Sequence, residues 1–131
     1  MRKRILLLSV CISISTLYGV SQEEELTPEE QAYRDSIANL NEENAAIAAS
    51  QEAYNAGINL FSEEKYTQAI SKFEASIKSD PNFTAAYYNK GVAENEANRF
   101  AAATKTLNIL LEKDPDYSKG YFQRARAYQG T

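Results

Sequence analysis

The sequence predicts an all-α fold: a solenoid of antiparallel helix pairs, with two complete repeats, one helix of a third, and a capping or coiled-coil helix ahead of them. Three observations carry that prediction. The phrase "DPNFTAAYYNKG" (residues 80–91) returns thirty-four residues later, without a gap, as "DPDYSKGYFQRA" (residues 114–125). Apolar residues recur at i, i+3, i+4 and i+7 through the segments around it, the spacing of an amphipathic helix. Pro81 and Pro115 stand at matching places, and each forbids continuation of the helix before it.

The chain opens with an address label. Arg2, Lys3 and Arg4 supply positive charge, and residues 5–20 are uncharged and mostly apolar. Gly19 and Ser21 place small residues three and one before a cut at Ser21/Gln22, which completes the pattern of a secretory signal peptide over residues 1–21. Two alternatives stay open. Residues 5–20 as an uncleaved membrane anchor would rise only about 24 Å as a helix, against a hydrocarbon core of about 30 Å. A lipoprotein at Cys11 would place the bulky Val10 where the lipid-attachment pattern wants a small residue. The expectation is export, to a bacterial periplasm or cell envelope. Cleavage takes three of the 14 basic residues and leaves 11 against 18 acids, a net charge of −7.

Residues 22–27 read as an acidic leader. Residues 28–49 read as an N-terminal helix, with Thr27 as cap, Pro28 at the first helical position and Glu30 closing a capping box. Neither Gly nor Pro interrupts residues 29–56, so this helix is free to run straight into the first repeat. Tyr33, Ile37, Leu40, Asn44, Ile47, Gln51 and Tyr54 alternate at spacings of four and three, a heptad seam with polar breaks. One reading is a cap packing on the repeats. The other is a short coiled coil, in which residues 33–54 join copies of the chain and Asn44 fixes their alignment.

Residues 50–83 and 84–117 form the two full repeats. Tyr66, Ala69, Ile70, Phe73 and Ile77 make the apolar stripe of one second helix, and Phe100, Ala103, Leu107, Leu110 and Leu111 make the other. Gly57 and Gly91 fall where paired helices cross closely, leaving room for Phe73 and Leu107. The helices before the prolines should end near Lys78 and Glu112. Thr84 and Ser118 are the expected N-caps of the helices that follow. Phe83 with Tyr88, and Tyr117 with Phe122, have the spacing of a hydrophobic staple. Residues 118–131 supply one helix of a third repeat, or a capping helix, with Tyr121, Ala125 and Tyr128 on the face toward its missing partner. Whether the array continues stays open.

Composition argues against catalysis. The 131 residues hold no His and no Trp, and the one Cys is Cys11. Histidine is the commonest acid-base group near neutral pH and the commonest transition-metal ligand, so the chain is read as a non-enzyme without metal or cofactor. Glu63 and Glu64 sit where a solvated turn is expected and take no role. An acidic chain has no electrostatic reason to hold nucleic acid, and no small-molecule substrate is implied.

On Gly57, Ala69, Phe73 and Pro81, and again on Gly91, Ala103 and Pro115, the chain resembles the tetratricopeptide repeat family. Tyr87 stands at that family's Trp place, while Lys90 and Glu94 depart at its Leu and Tyr places. Arg124 repeats the basic choice of Lys90, which reads as a long side chain carrying its charge past the interface. An exported chain with a short coiled coil before such repeats also resembles the periplasmic cell-division coordinators of Gram-negative bacteria. The resemblance implies a protein–protein interaction scaffold, whose first helices line a concave groove for a peptide or partner helix. Carried over residue by residue, the groove comprises Tyr54, Asn55, Ile58 and Phe61; then Tyr88, Asn89, Val92 and Asn95; then Lys119, Phe122, Gln123 and Arg126. Some relatives clamp a terminal carboxylate with Lys and Asn. Here Asn89 and Lys119 match two of those places but Tyr54 and Ile58 replace the others, so chaperone-tail binding is not expected. The competing function is an oligomeric assembly component of the cell envelope, joined through the N-terminal helix.

Overall fold

The computed structural model describes residues 26–130. The expected signal segment at 1–21 and most of the expected acidic leader lie outside the described residues. Five helices follow in order: α1 (Pro28–Ser62), α2 (Tyr66–Ser79), α3 (Thr84–Glu96), α4 (Phe100–Lys113) and α5 (Ser118–Gln129), with no strand among the described residues. The prolines act as expected, and α2 and α4 end one residue beyond the predicted Lys78 and Glu112. The chain divides into two units, residues 1–38 and 39–131.

The described part of the first unit is a helix start. Glu30 N–H donates to Thr27 Oγ1 at 3.3 Å, while Thr27 N–H and Oγ1 donate to Glu30 Oε2 at 3.0 and 2.9 Å. These reciprocal bonds are the predicted capping box, and they hold the Glu30 carboxyl below its ordinary range. Gln31 Nε2 donates to Asp35 Oδ1 one turn on, at 2.8 Å.

In the second unit the helix continues without a break into the first hairpin. Ser50 is the first buried residue of α1, its hydroxyl 3.0 Å from Ser76 O and 2.9 Å from Ser76 Oγ on α2. Leu40 and Ile47 are 51% and 43% exposed, so the seam is open in the single chain. Close crossing sets the two hairpins. A Cβ on Gly57 would stand 2.6 Å from Phe73 Cε1, and one on Gly91 2.6 Å from Leu107 Cγ. Both glycines therefore occupy space that a side chain would contest, as their spacing predicts. Phe73, Leu107 and Leu110 are fully buried, and burying a side chain of that size contributes about 1.5–3 kcal/mol.

The hairpin turns repeat as faithfully as the crossings. Glu64 and Asn98, thirty-four residues apart, have φ of 59° and 57°. Lys65 N–H reaches Leu60 O at 2.9 Å and Glu64 N–H reaches Phe61 O at 3.0 Å; Arg99 with Glu94 and Asn98 with Asn95 repeat both bonds. Each is a Schellman closure, in which one left-handed residue satisfies the last carbonyls of a helix.

The corners between hairpins differ from expectation. Phe83 and Tyr117 hold the cap positions, and neither α3 nor α5 has a side-chain cap bond, so Thr84 and Ser118 are first helical residues rather than N-caps. The polar work falls to the aspartates: Asp80 Oδ1 accepts Asn82 N–H at 2.9 Å and Asp114 Oδ1 accepts Asp116 N–H at 3.2 Å. These carboxylates pin the turn two residues ahead, where a proline cannot. The staple is also replaced. Phe83 packs on Tyr54 (ring centroids 4.9 Å) and Tyr117 on Tyr88 (5.2 Å), each reaching back to the previous first helix, while Phe122 is 70% exposed.

Two core clusters alternate along the array. Ala69, Ile70, Phe73 and Ala93 form one; Tyr87, Ala103, Leu107, Leu110 and Ala127 form the other. Lys90 does not carry its charge out to open water. Its amine ends 3.1 Å from Glu74 on α2 and 3.4 Å from the buried Glu94. Arg124 Nη1 repeats the reach with a neutral partner, donating to Asn108 Oδ1 at 3.0 Å.

Candidate functional site

The first helices of successive hairpins, the end of α1, α3 and α5, stand in a row. α3 packs directly on α5. Asn89 Nδ2 ties α3 to α1 by donating to Tyr54 Oη at 2.8 Å. The residues expected in the groove all lie on these three helices, but they divide in use.

On α1, Tyr54 is half-buried between Phe73 and Phe83, with centroids at 5.8 and 4.9 Å. Phe61 turns its ring edge-on to Tyr66 at 5.3 Å. Asn55 and Ile58 are exposed. On α3, Tyr88 is half-buried against Tyr117. Asn89 spends its remaining amide hydrogen on Ala85 O at 3.0 Å. Val92 is half-buried. Asn95 is 1% exposed; its Nδ2 donates to Gln123 O at 3.0 Å and Gln123 Oε1 at 3.1 Å, and its Oδ1 has no partner among the described residues. On α5, Lys119 and Phe122 are exposed, Gln123 is half-buried, and Arg126 grips Glu96 of α3 with bonds of 2.6 and 3.2 Å.

The Arg126 bond holds the Glu96 carboxyl below its usual range and raises the guanidinium above its own. Burial, then the neighbouring Tyr88 and Tyr54, push the Tyr117 hydroxyl up. Tyr87 is pushed up by burial as well, and donates to Pro81 O at 3.2 Å. Among the described residues no three His, Cys, Asp or Glu gather to hold a metal, and no helix is long and apolar enough to cross a membrane.

Sequence reasoning missed the struts: Glu96 under Arg126, Gln123 under Asn95, and the aromatic pairs Tyr54–Phe83 and Tyr88–Tyr117. The aromatic pairs had a signal, since both partners repeat at the same spacing of thirty-four. The side-chain amide bonds had none.

No curated protein matches the chain. Solved structures that share its fold include two complexes. One is a complex of the TPR2B domain of yeast Sti1 with pHsp70, 23% identical, with a TM-score of 0.60 over 77% of this chain and 81% of that one. The other is a complex of the TPR2AB domain of yeast Sti1 with pHSP90, 22% identical, with a TM-score of 0.56 over 94% of this chain and 56% of that one. This chain thus spans little more than half of the second structure. Residues 54–118 match the tetratricopeptide repeat family. With the gapless period of thirty-four, the glycine crossings at Phe73 and Leu107 and the twin turns at Glu64 and Asn98, that match places the chain in the tetratricopeptide repeat family.

Proposed function

We propose that this chain is a non-catalytic protein–protein interaction scaffold that holds an extended peptide or a partner helix against its row of first helices. The division of labour within that row carries the reading. Asn89, Asn95, Gln123 and Arg126 bond the helices to one another, which fixes the row as a stiff surface. Asn55, Ile58, Lys119 and Phe122 are left exposed, with Val92 half-buried among the same helices. A 70% exposed phenylalanine suits an apolar anchor, and the Asn55 amide can bond a peptide backbone without demanding a charge.

Recognition of a chain-end carboxylate is not part of the proposal. Both amide hydrogens of Asn89 are committed, to Tyr54 and Ala85, and Tyr54 and Ile58 bring no charge. The partners of the two Sti1 complexes are therefore not carried over. Export to a bacterial periplasm or envelope belongs to the same proposal and rests on the charge and apolar pattern of residues 1–21. N-terminal sequencing of the protein recovered from cells should begin at Gln22; a start at Met1 rules cleavage out.

Peptides selected from a random displayed library against this chain test the groove. Ile58→Arg and Phe122→Asp should each weaken a selected peptide about tenfold, the effect of a lost anchor worth about 1.4 kcal/mol. Lys72→Glu, on the exposed face of α2, should leave binding unchanged. Peptides that ignore both groove variants would overturn the proposal.

A further inference from the structure

Two exposed surfaces of this chain carry the residue patterns of the two halves of a repeat. The first lies on α1, where Tyr33, Ile37 and Leu40 are 69%, 41% and 51% exposed, with Ser36 among them. Their order is an aromatic residue, then a small one at +3, then a larger apolar one at +4 and another at +7. Tyr66, Ala69, Ile70 and Phe73 on α2 have the same order, and Phe100, Ala103 and Leu107 on α4 share its first, second and last members. In α2 and α4 that stripe is what each second helix turns toward its first helix, and Ala69, Phe73, Ala103 and Leu107 are all 0% exposed. Residues 33–40 therefore carry a second-helix stripe with nothing buried on it.

The other surface lies on α5. One repeat earlier, Tyr87 and Gly91 meet α4: Tyr87 is buried and Gly91 lies under Leu107. Their counterparts on α5 are Tyr121, 45% exposed, and Ala125, also exposed. This is the face of a first helix that lacks its second helix among the described residues.

Charge chooses between the ways of covering these surfaces. Residues 28–49 hold Glu29, Glu30, Asp35, Glu42 and Glu43 against Arg34, a net of −4. α5 holds Lys119, Arg124 and Arg126 with no acid, a net of +3. Pairing α1 with α1 sets −4 against −4; pairing α1 with α5 sets opposite charges together, and Glu96 already takes up part of Arg126.

We propose that the α1 stripe of one copy docks on the exposed face of α5 of a second copy and stands there as a second helix, with Leu40 over Ala125 as Leu107 stands over Gly91. The contact joins unlike surfaces, so two copies satisfy both by exchanging their α1 segments, or more copies join head to tail. Its occupant is a second copy of this chain, and it leaves the groove reading untouched.

Sedimentation of the full chain over a range of concentrations tests it. The chain should associate, and less so as salt rises. Leu40→Asp and Ala125→Asp alter exposed positions, so each should keep its helical circular dichroism and sediment as a monomer. Mixing the two variants should restore a species of two chains and nothing larger, because one junction between wild-type surfaces then survives. A chain that is monomeric throughout overturns the proposal. So does an Ala125→Asp variant that associates as before, the result expected of an α1–α1 coiled coil. So does a mixture that stays monomeric.

Discussion

At Gly91 the close crossing of α3 and α4 has no slack. A Cβ there would lie 2.6 and 2.7 Å from Leu107 Cγ and Cδ2, and Leu107 is itself fully buried. A glycine inside a helix costs about 0.5–1 kcal/mol against alanine, a cost the tight approach offsets through packing. Gly91→Leu should overpack the pair and lower stability by about 1–3 kcal/mol, read as a fall in the thermal midpoint. The role of this residue was legible because its spacing from Gly57 and Leu107 repeats. That of Thr84 was not. A Thr before an amphipathic run reads as a cap, but Asp80 and Pro81 already fix the turn, and the helix begins one residue early with Phe83 at the cap.

The tie between α3 and α5 shows what sequence leaves hidden at the scale of elements. Each helix was legible from its period, and so was the row that α1, α3 and α5 form. Which groove residues are spent inside the row was not, because the bonds of Asn89 to Tyr54 and Asn95 to Gln123 join residues 35 and 28 apart through amides that have many other partners to choose from. The Glu96–Arg126 pair makes one such tie measurable. The Arg126 bond holds the folded Glu96 pKa below the ordinary carboxylate value, so the unfolded chain binds more protons on the acid side. The stabilisation is fully present above the unfolded value and is lost as pH falls through the folded one. Both side chains are partly exposed, at 42% and 31%, which limits the tie to about 1 kcal/mol or less. Urea melts of the chain and of Glu96→Gln should therefore differ slightly near neutral pH and converge in acid, once pH has fallen below the folded Glu96 pKa. A gap that widens in acid would contradict the assignment.

A solenoid is held by nearest neighbours, so stability should vary along the molecule. Every described residue from 26 to 45 is exposed, while α3 and α4 carry buried residues on several turns. In dilute solution amide exchange should be fastest over residues 28–45 and slowest in α3 and α4. Uniform protection along α1 in the monomer would contradict this. The overall architecture was legible because a gapless period dictates that like positions meet like. The fate of the heptad seam was not. Tyr33, Ile37 and Leu40 fit a cap, a coiled coil and a second-helix stripe alike, and their exposure together with the opposite charge of α5 is what motivates the third as a proposal.

The two Schellman closures bend the chain alike but at unequal expense. Asparagine visits the left-handed region readily, whereas glutamate has a Cβ and no short amide to settle there, so Glu64 stores backbone strain of roughly 1 kcal/mol that Asn98 largely avoids. The first bend is thus the more strained of the pair, and a single glycine at position 64 would relax it while leaving both closing bonds in place.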